Sequence, residues 1–366
     1  MNNDLLYQVA LTRVPHIGDV HAKALLKIYE NAQAIFKAPK KQLEHVEGIG
    51  SVKATSIKQF NDFKTCEEEI IFIERYKVTP LFINDKNYPQ RLLNCYDSPV
   101  LLYYRGTADL NSSKIISIVG TRSNTGYGKQ VCEKLIEELK AIPVLIVSGL
   151  AFGIDTIAHR ASLKNNLPTV GVLAHGLDRI YPPQNKSLAK QMIENGGLLT
   201  DFKSGSLPGK QNFPKRNRIV AGICDGLIVI ESAGKGGSLI TAELANSYNK
   251  DVFAIPGRAT DTKSEGCNYL IKTNKASLIT CANDLLDFMN WKEQEKTVVK
   301  KQRELFIELT PAEKIITGIL MEKENCSIDE LYLKSGLSSS EAAQALLMLE
   351  MQGIILSLPG KMYRLI

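Results

Sequence analysis

Between Asp201 and Glu243 the chain places the cationic cluster Lys215, Arg216 and Arg218 and two glycine-bearing turns around one apolar run. Lys215, Arg216 and Arg218 open a helical pattern carried by Ile219, Val220 and Ile223, and Asp225-Gly226 ends it before the run Leu227–Ile230. Gly234-Lys235-Gly236-Gly237-Ser238 follows at once, and Ser238 is placed to cap a helix starting near Leu239. Backbone N–H groups at a helix start, reinforced by the helix dipole, attract anions. Two such devices side by side, with cations between them, predict phosphate as the ligand chemistry.

More of this chemistry lies upstream. Apolar runs at 115–119, 144–148, 169–173, 198–200, 227–230 and 252–255 alternate with helical segments, which predicts a parallel sheet covered on both faces. In such sheets ligands sit beyond the carboxyl ends of the strands. There the sequence has Gly120-Thr121-Arg122, then Gly149 and Gly153, then Gly176. Their repetition along one sheet edge, joined by Arg122, Arg216 and Arg218, predicts one long polar groove. Arg122, Lys215, Arg216 and Arg218 are expected to form its phosphate-contacting edge. Phe213, just before Pro214 and Lys215, offers a face on which a base can stack, so a single strand is expected to bind better than a duplex.

Other chemistries lack their residues. The first turn has Gly120, Gly126 and Gly128 rather than the Gly-x-Gly-x-x-Gly dinucleotide spacing, and no Gly-x-x-x-x-Gly-Lys-Ser/Thr loop occurs. The five histidines show no metal-ligand spacing. His159, one helical turn after Asp155, could be oriented by it, with a structural hydrogen bond the expected role. No catalytic centre, cofactor or metal is therefore expected. The seven cysteines form no Cys-x-x-Cys pair and read as small apolar residues in a reducing compartment. No signal segment and no spanning-length apolar run is seen, so a cytoplasmic chain without membrane insertion is expected.

With 366 residues the chain has room for more than one domain, and its net charge of +6 suits a nucleic-acid partner without proving one. Residues 1–64 read as short helices with two similar turns, Pro15-His16-Ile17-Gly18 and Glu47-Gly48-Ile49-Gly50, resembling helix-hairpin-helix elements. Eight Lys/Arg against five acids give Thr12–Asp62 a balance of +3. Residues 65–290 read as an extended Rossmann-like domain and 291–309 as a charged linker. Residues 310–366 read as a winged helix, with capping-box starts at Thr310, Ser327 and Ser338 and two short strands around Pro359-Gly360-Lys361. Its third helix carries Glu341 and Glu350 and no Lys or Arg, and the domain balance is five bases against seven acids, so packing or protein contact is expected there rather than duplex binding. The fold class expected is thus α/β, a mostly parallel Rossmann-like sheet with helices on both faces, between a small helical domain and a winged helix.

Seven segments then occur together: IVGTR at 118–122, SGLAFGIDTIAH at 148–159, AHGLDRIYPPQN at 174–185, FPKRNRIVAG at 213–222, GGSLITAELA at 236–245, VFAIPG at 252–257 and GCNYLI at 266–271. In this order they resemble the DprA (Smf) family of bacterial DNA-processing proteins, over about Tyr88 to Leu286. The resemblance implies a protein that binds and protects single-stranded DNA and helps load the RecA recombinase, not an enzyme, and a homodimer. Carried onto this chain, the DNA site comprises Gly120, Thr121, Arg122, Gly149, Gly153, Gly176, Phe213, Lys215, Arg216, Asn217, Arg218, Lys235, Gly236, Gly237 and Ser238, with Tyr269, Ile271 and Leu278 in the dimer interface. Leu270 and Ile279 share that apolar stretch. Thr200-Asp201-Phe202 stands where many members have a Ser-Glu pair, so the role of an acid there is open. Two alternatives remain. One is a nucleoside-monophosphate phosphoribohydrolase of the lysine-decarboxylase-like family, whose Gly-Gly-x-Gly-Thr-x-x-Glu motif is met here by Gly236, Gly237 and Glu243 but has Leu239 and Ile240 in place of Gly and Thr. The other is a nucleotide-sensing module without DNA.

Overall fold

The runs of Val, Ile and Leu do form strands. The structure, a computed structural model, describes residues 3–292, 309–323, 325–358 and 361–365. Nine strands make one sheet: β1 (Thr79–Phe82), β2 (Leu101–Gly106), β3 (Ile115–Val119), β4 (Leu145–Ser148), β5 (Thr169–Val172), β6 (Gly196–Thr200), β7 (Gly226–Val229), β8 (Asp251–Ala254) and β9 (Ser277–Leu278). Their order is β1-β2-β6-β5-β4-β3-β7-β8-β9. From β6 to β9 every neighbour is parallel, while β2 runs antiparallel to both β1 and β6. The chain direction across the sheet reverses where β7 joins β3, and this switch point opens a crevice at the carboxyl ends.

Alternation along each strand sends successive side chains to two cores. Ile115, Val119, Leu145, Val147, Leu227 and Val229 pack with Ile219 and Val220 of the helix Asn212–Gly222 and with Ala242 and Ala245 of the helix Gly237–Ser247. On the other face Ile116, Ile118, Ile146, Ile228 and Ile230 meet Cys132, Leu135 and Ile136 of the helix Gly126–Leu139 and Ala158 of the helix Ile154–Lys164. Burial on both faces explains why these strands read as continuous apolar runs.

The front helices do not stand apart. Val9, Leu25, Ile35, Leu43 and Ile57 share a core with Val78, Phe82, Leu101 and Tyr103 of the β1–β2 region, so the helical segment expected at 1–64 is packed directly on the first two strands. Met1–Trp291 forms one compact unit, and Lys292–Ile366 a second. The second contains the helices Pro311–Glu322, Ile328–Ser335 and Ser339–Met351, and a small sheet β10 (Cys326–Ser327), β11 (Ile355–Leu358) and β12 (Met362–Leu365) in the order β10-β12-β11. Thr310 and Ser338 make full capping boxes with Glu313 and Glu341, whereas Ser327 accepts from the Glu330 N–H without the reciprocal bond. Most of the linker expected at 291–309, and Pro359 and Gly360 of the expected wing turn, lie outside the described residues.

Candidate nucleic-acid interface

Local backbone needs shape the floor of the crevice. After β3 the chain turns through Gly120, Thr121 and Arg122; after β4 it turns through Gly149; after β7 it runs from Ser232 to Gly237. Gly149 faces Arg216 so closely that a Cβ there would lie 2.5 Å from its guanidinium nitrogen. At Gly153, φ is +77° and a Cβ would lie 2.2 Å from the Thr121 carbonyl oxygen, so only glycine lets these two turns meet.

The resulting groove, about 430 Å³, is lined by Gly120, Thr121, Arg122, Gly149, Phe213, Arg216, Asn217, Lys235, Gly236, Gly237 and Ser238, eleven of the fifteen residues expected. Gly236 is the N-cap of the helix Gly237–Ser247, with no side chain capping it. Ser238 is therefore not the cap the sequence predicted. It sits inside the first turn, buried, and its hydroxyl donates to Ser232 Oγ at 2.8 Å. The helix start is left open toward the groove, as an anion site requires.

Arg216 and Arg122 divide the electrostatic work. Arg216 is buried (4 % exposed), with Nη1 donating to the carbonyls of Gly149 and Val172 and Nε to Asn217 Oδ1 at 3.1 Å. Burial lowers its pKa to about 10, opposed by the nearby Asp155 carboxylate, so it remains a fixed cation at neutral pH. Burial raises the pKa of Asp155, against the pull of Arg216. Arg122 is more open and stacks its guanidinium over the Phe213 ring at 4.6 Å. Phe213 is half-buried and meets the Tyr181 ring at 6.3 Å, not a core.

A smaller adjoining cavity of about 30 Å³ shares Arg122, Gly149, Phe213 and Arg216, and adds Phe152, His175 and Tyr181. Phe152 and Tyr181 are nearly half exposed, and Lys210 joins Lys235 on the wall of the larger groove. The sequence reading missed these three. Lys210 was findable from Pro208-Gly209-Lys210 just ahead of Phe213, but nothing local brings Phe152 or Tyr181 to Phe213.

Four expected residues stand elsewhere. Arg218 is the main correction: its Nη2 bonds Asp201 at 2.7 Å and Asp19 at 2.9 Å, and Nη1 donates to the Asp97 carbonyl. Burial alone would lower its pKa, but Asp201 and Asp19 outweigh that and raise it, so the charge is held internally, and Arg218 lines neither cavity. Two residues of separation turn a helix by about 200°, so Arg216 and Arg218 cannot share a face. Asp201 thereby acquires a role, as the anchor of Arg218. Lys215 is exposed and lines neither cavity; Gly153 serves turn packing; a Cβ on Gly176 would lie 2.5 Å from the Lys203 carbonyl oxygen, a close-packing role. His159 is not oriented by Asp155. Its Nδ1 donates to Thr169 Oγ1 at 2.7 Å, whose own proton goes to the Ile146 carbonyl.

Comparison with known proteins matches this architecture segment by segment. The family model described as DNA recombination-mediator protein A matches residues 79–290, a helix-hairpin-helix motif model matches 9–70, and the DprA winged helix domain model matches 307–361. Protein Smf of Synechocystis is 31% identical over 401 residues, covering 99% of each chain. The crystal structure of DNA processing protein A from Streptococcus pneumoniae superposes with a TM-score of 0.69 at 35% identity, covering 77% of this chain and 97% of that one. DNA processing protein A from Helicobacter pylori, described for its mode of binding single-stranded DNA, gives a TM-score of 0.53 at 30% identity, covering 59% and 96%. A family model spanning more than half of the sequence, and a relative similar from end to end, establish that the chain belongs to the DNA recombination-mediator protein A (DprA/Smf) family.

Proposed function

We propose that this chain binds single-stranded DNA without sequence preference in the groove between β3 and β7, protects it, and helps load the RecA recombinase onto it, acting as a homodimer. The observation that carries the DNA reading is the Arg122–Phe213 pair above buried Arg216. A guanidinium for phosphates beside aromatic rings for bases is the chemistry of sequence-tolerant strand binding. The Helicobacter relative's single-stranded DNA binding supports it. The RecA and dimer parts rest on family resemblance.

A Phe213→Ala variant is expected to lose oligothymidine affinity by about 1–3 kcal/mol for a stacked base, with little change in melting temperature. Arg122→Ala is expected to weaken binding and flatten the log-affinity against log-salt slope by about 0.7 for each phosphate that Arg122 neutralises. Equal affinity of the wild-type chain for oligothymidine and a matched duplex would overturn the reading. A binding rather than hydrolytic role is supported by half-exposed Ile240, which lines the groove where the phosphoribohydrolase motif has a small polar residue. Incubation with nucleoside monophosphates is expected to release no base.

A further inference from the structure

We propose that the outward face of the helix Ser339–Met351 is a docking surface for a partner protein, and that the partner presents an apolar helix flanked by lysine or arginine. The helix buries one side, through Ala342, Ala345, Leu346 and Leu349, in the core of the second unit. Its opposite side should then be polar. Polar Ser340 and Gln344 begin that side, but Leu347 and Met351, four residues apart, continue it as an apolar line, with Met348 beside it. Leu347 is 58 % exposed, Met348 41 % and Met351 76 %. From Leu347 to Met351 the apolar line spans about 6 Å, roughly one turn of a partner helix.

Charge selects among occupants. Glu341 and Glu350 border the line on its two sides, and the helix has no Lys or Arg. Glu341 accepts from the Ser338 N–H and hydroxyl, which lowers its pKa and keeps it ionised; Glu350 accepts from the Ser357 hydroxyl. Duplex DNA would meet acids where it needs cations. A second copy would set these acids against their own counterparts, and like charges oppose association. A basic-flanked apolar helix satisfies both the line and its borders, and exposed methionines adapt to such a guest. The chain's overall charge of +6 repels a basic peptide, so attraction would be local to this face.

The test uses the full chain at physiological salt and two fluorescent 18-residue amphipathic peptides, one with Leu and Lys, the other with Leu and Glu. Anisotropy should show the Lys peptide binding at least tenfold tighter. Leu347→Ser with Met351→Ser should weaken it at least tenfold, with melting temperature, oligothymidine affinity and light-scattering mass unchanged. Glu341→Gln with Glu350→Gln should weaken it severalfold and supplies a second variant with the apolar line intact. Equal binding of the two peptides, or indifference to both variants, would overturn the proposal. So would a drop in mass of the serine variant, which would assign the face to a second copy, or a loss of duplex affinity, which would assign it to DNA.

Discussion

Arg216 and Arg218 show what a residue's type can and cannot announce. Both read as phosphate contacts from the sequence, and their separation on a helix assigns one to the groove and the other to an internal clamp. The cue was there in the helical period; the partner was not, because Asp19 lies 199 positions away. His159 carries a second residue-scale consequence. Its Nε2 is buried without a partner, and burial together with Arg216 pushes its pKa down to about 3. An unfolded chain takes up this proton near pH 6.5, whereas the folded chain does so only near pH 3. Stability is therefore lost as pH falls through that window, by about 1.4 kcal/mol per pH unit. Denaturation between pH 7 and 4 should show this slope, and His159→Gln should flatten it. Buried His175, also shifted down, is expected to sustain a smaller remainder.

Among elements, the strands were the most legible because burial on both faces writes itself as uninterrupted Val, Ile and Leu. β9, with two residues, is too short for any pattern, and the start of β6 was hidden by Gly196 and Gly197. The open start of the helix Gly237–Ser247 was read as capped because Ser238 is a good capping type placed too late in the turn. The clamp between elements gives the next prediction. Asp19 opens the helix Asp19–Leu26, accepts from the Val100 N–H at 3.0 Å and holds Arg218 of the basic helix. Arg218→Ala should destabilise the chain by about 2–3 kcal/mol in chemical denaturation, since it leaves the buried Asp201 carboxylate without its cation, and Asp19→Ala should cost less, since Arg218 keeps Asp201. The salt slope of oligothymidine binding should stay at its wild-type value in both, in contrast to Arg122→Ala. A flattened slope for Arg218→Ala would return it to the phosphate edge.

For the whole molecule, the α/β sheet between a helical front and a winged helix was legible from periodicity and capping residues. Its assembly was legible only by resemblance. Tyr269 and Leu278 are about half exposed near the last strand, Ile271 is partly buried, and Leu270 and Ile279 belong to the core. Light scattering at micromolar concentration should give about twice the 40.5 kDa of one chain, and Tyr269→Ala with Leu278→Asp should return it to one. A wild-type monomer would overturn the dimer. The pairing of β2 with β6 has a consequence for synthesis. The β1–β2 hairpin and the helices packed on it are complete at Gly106, but the strand that covers the other edge of β2 begins at Gly196. At 5–20 residues per second the ribosome needs roughly 5–18 s to supply it. During that interval the stretch of β2 that β6 covers, Tyr103 to Gly106, presents an unpaired edge, so translation pauses between these two strands lengthen the period in which nascent chains can pair with one another.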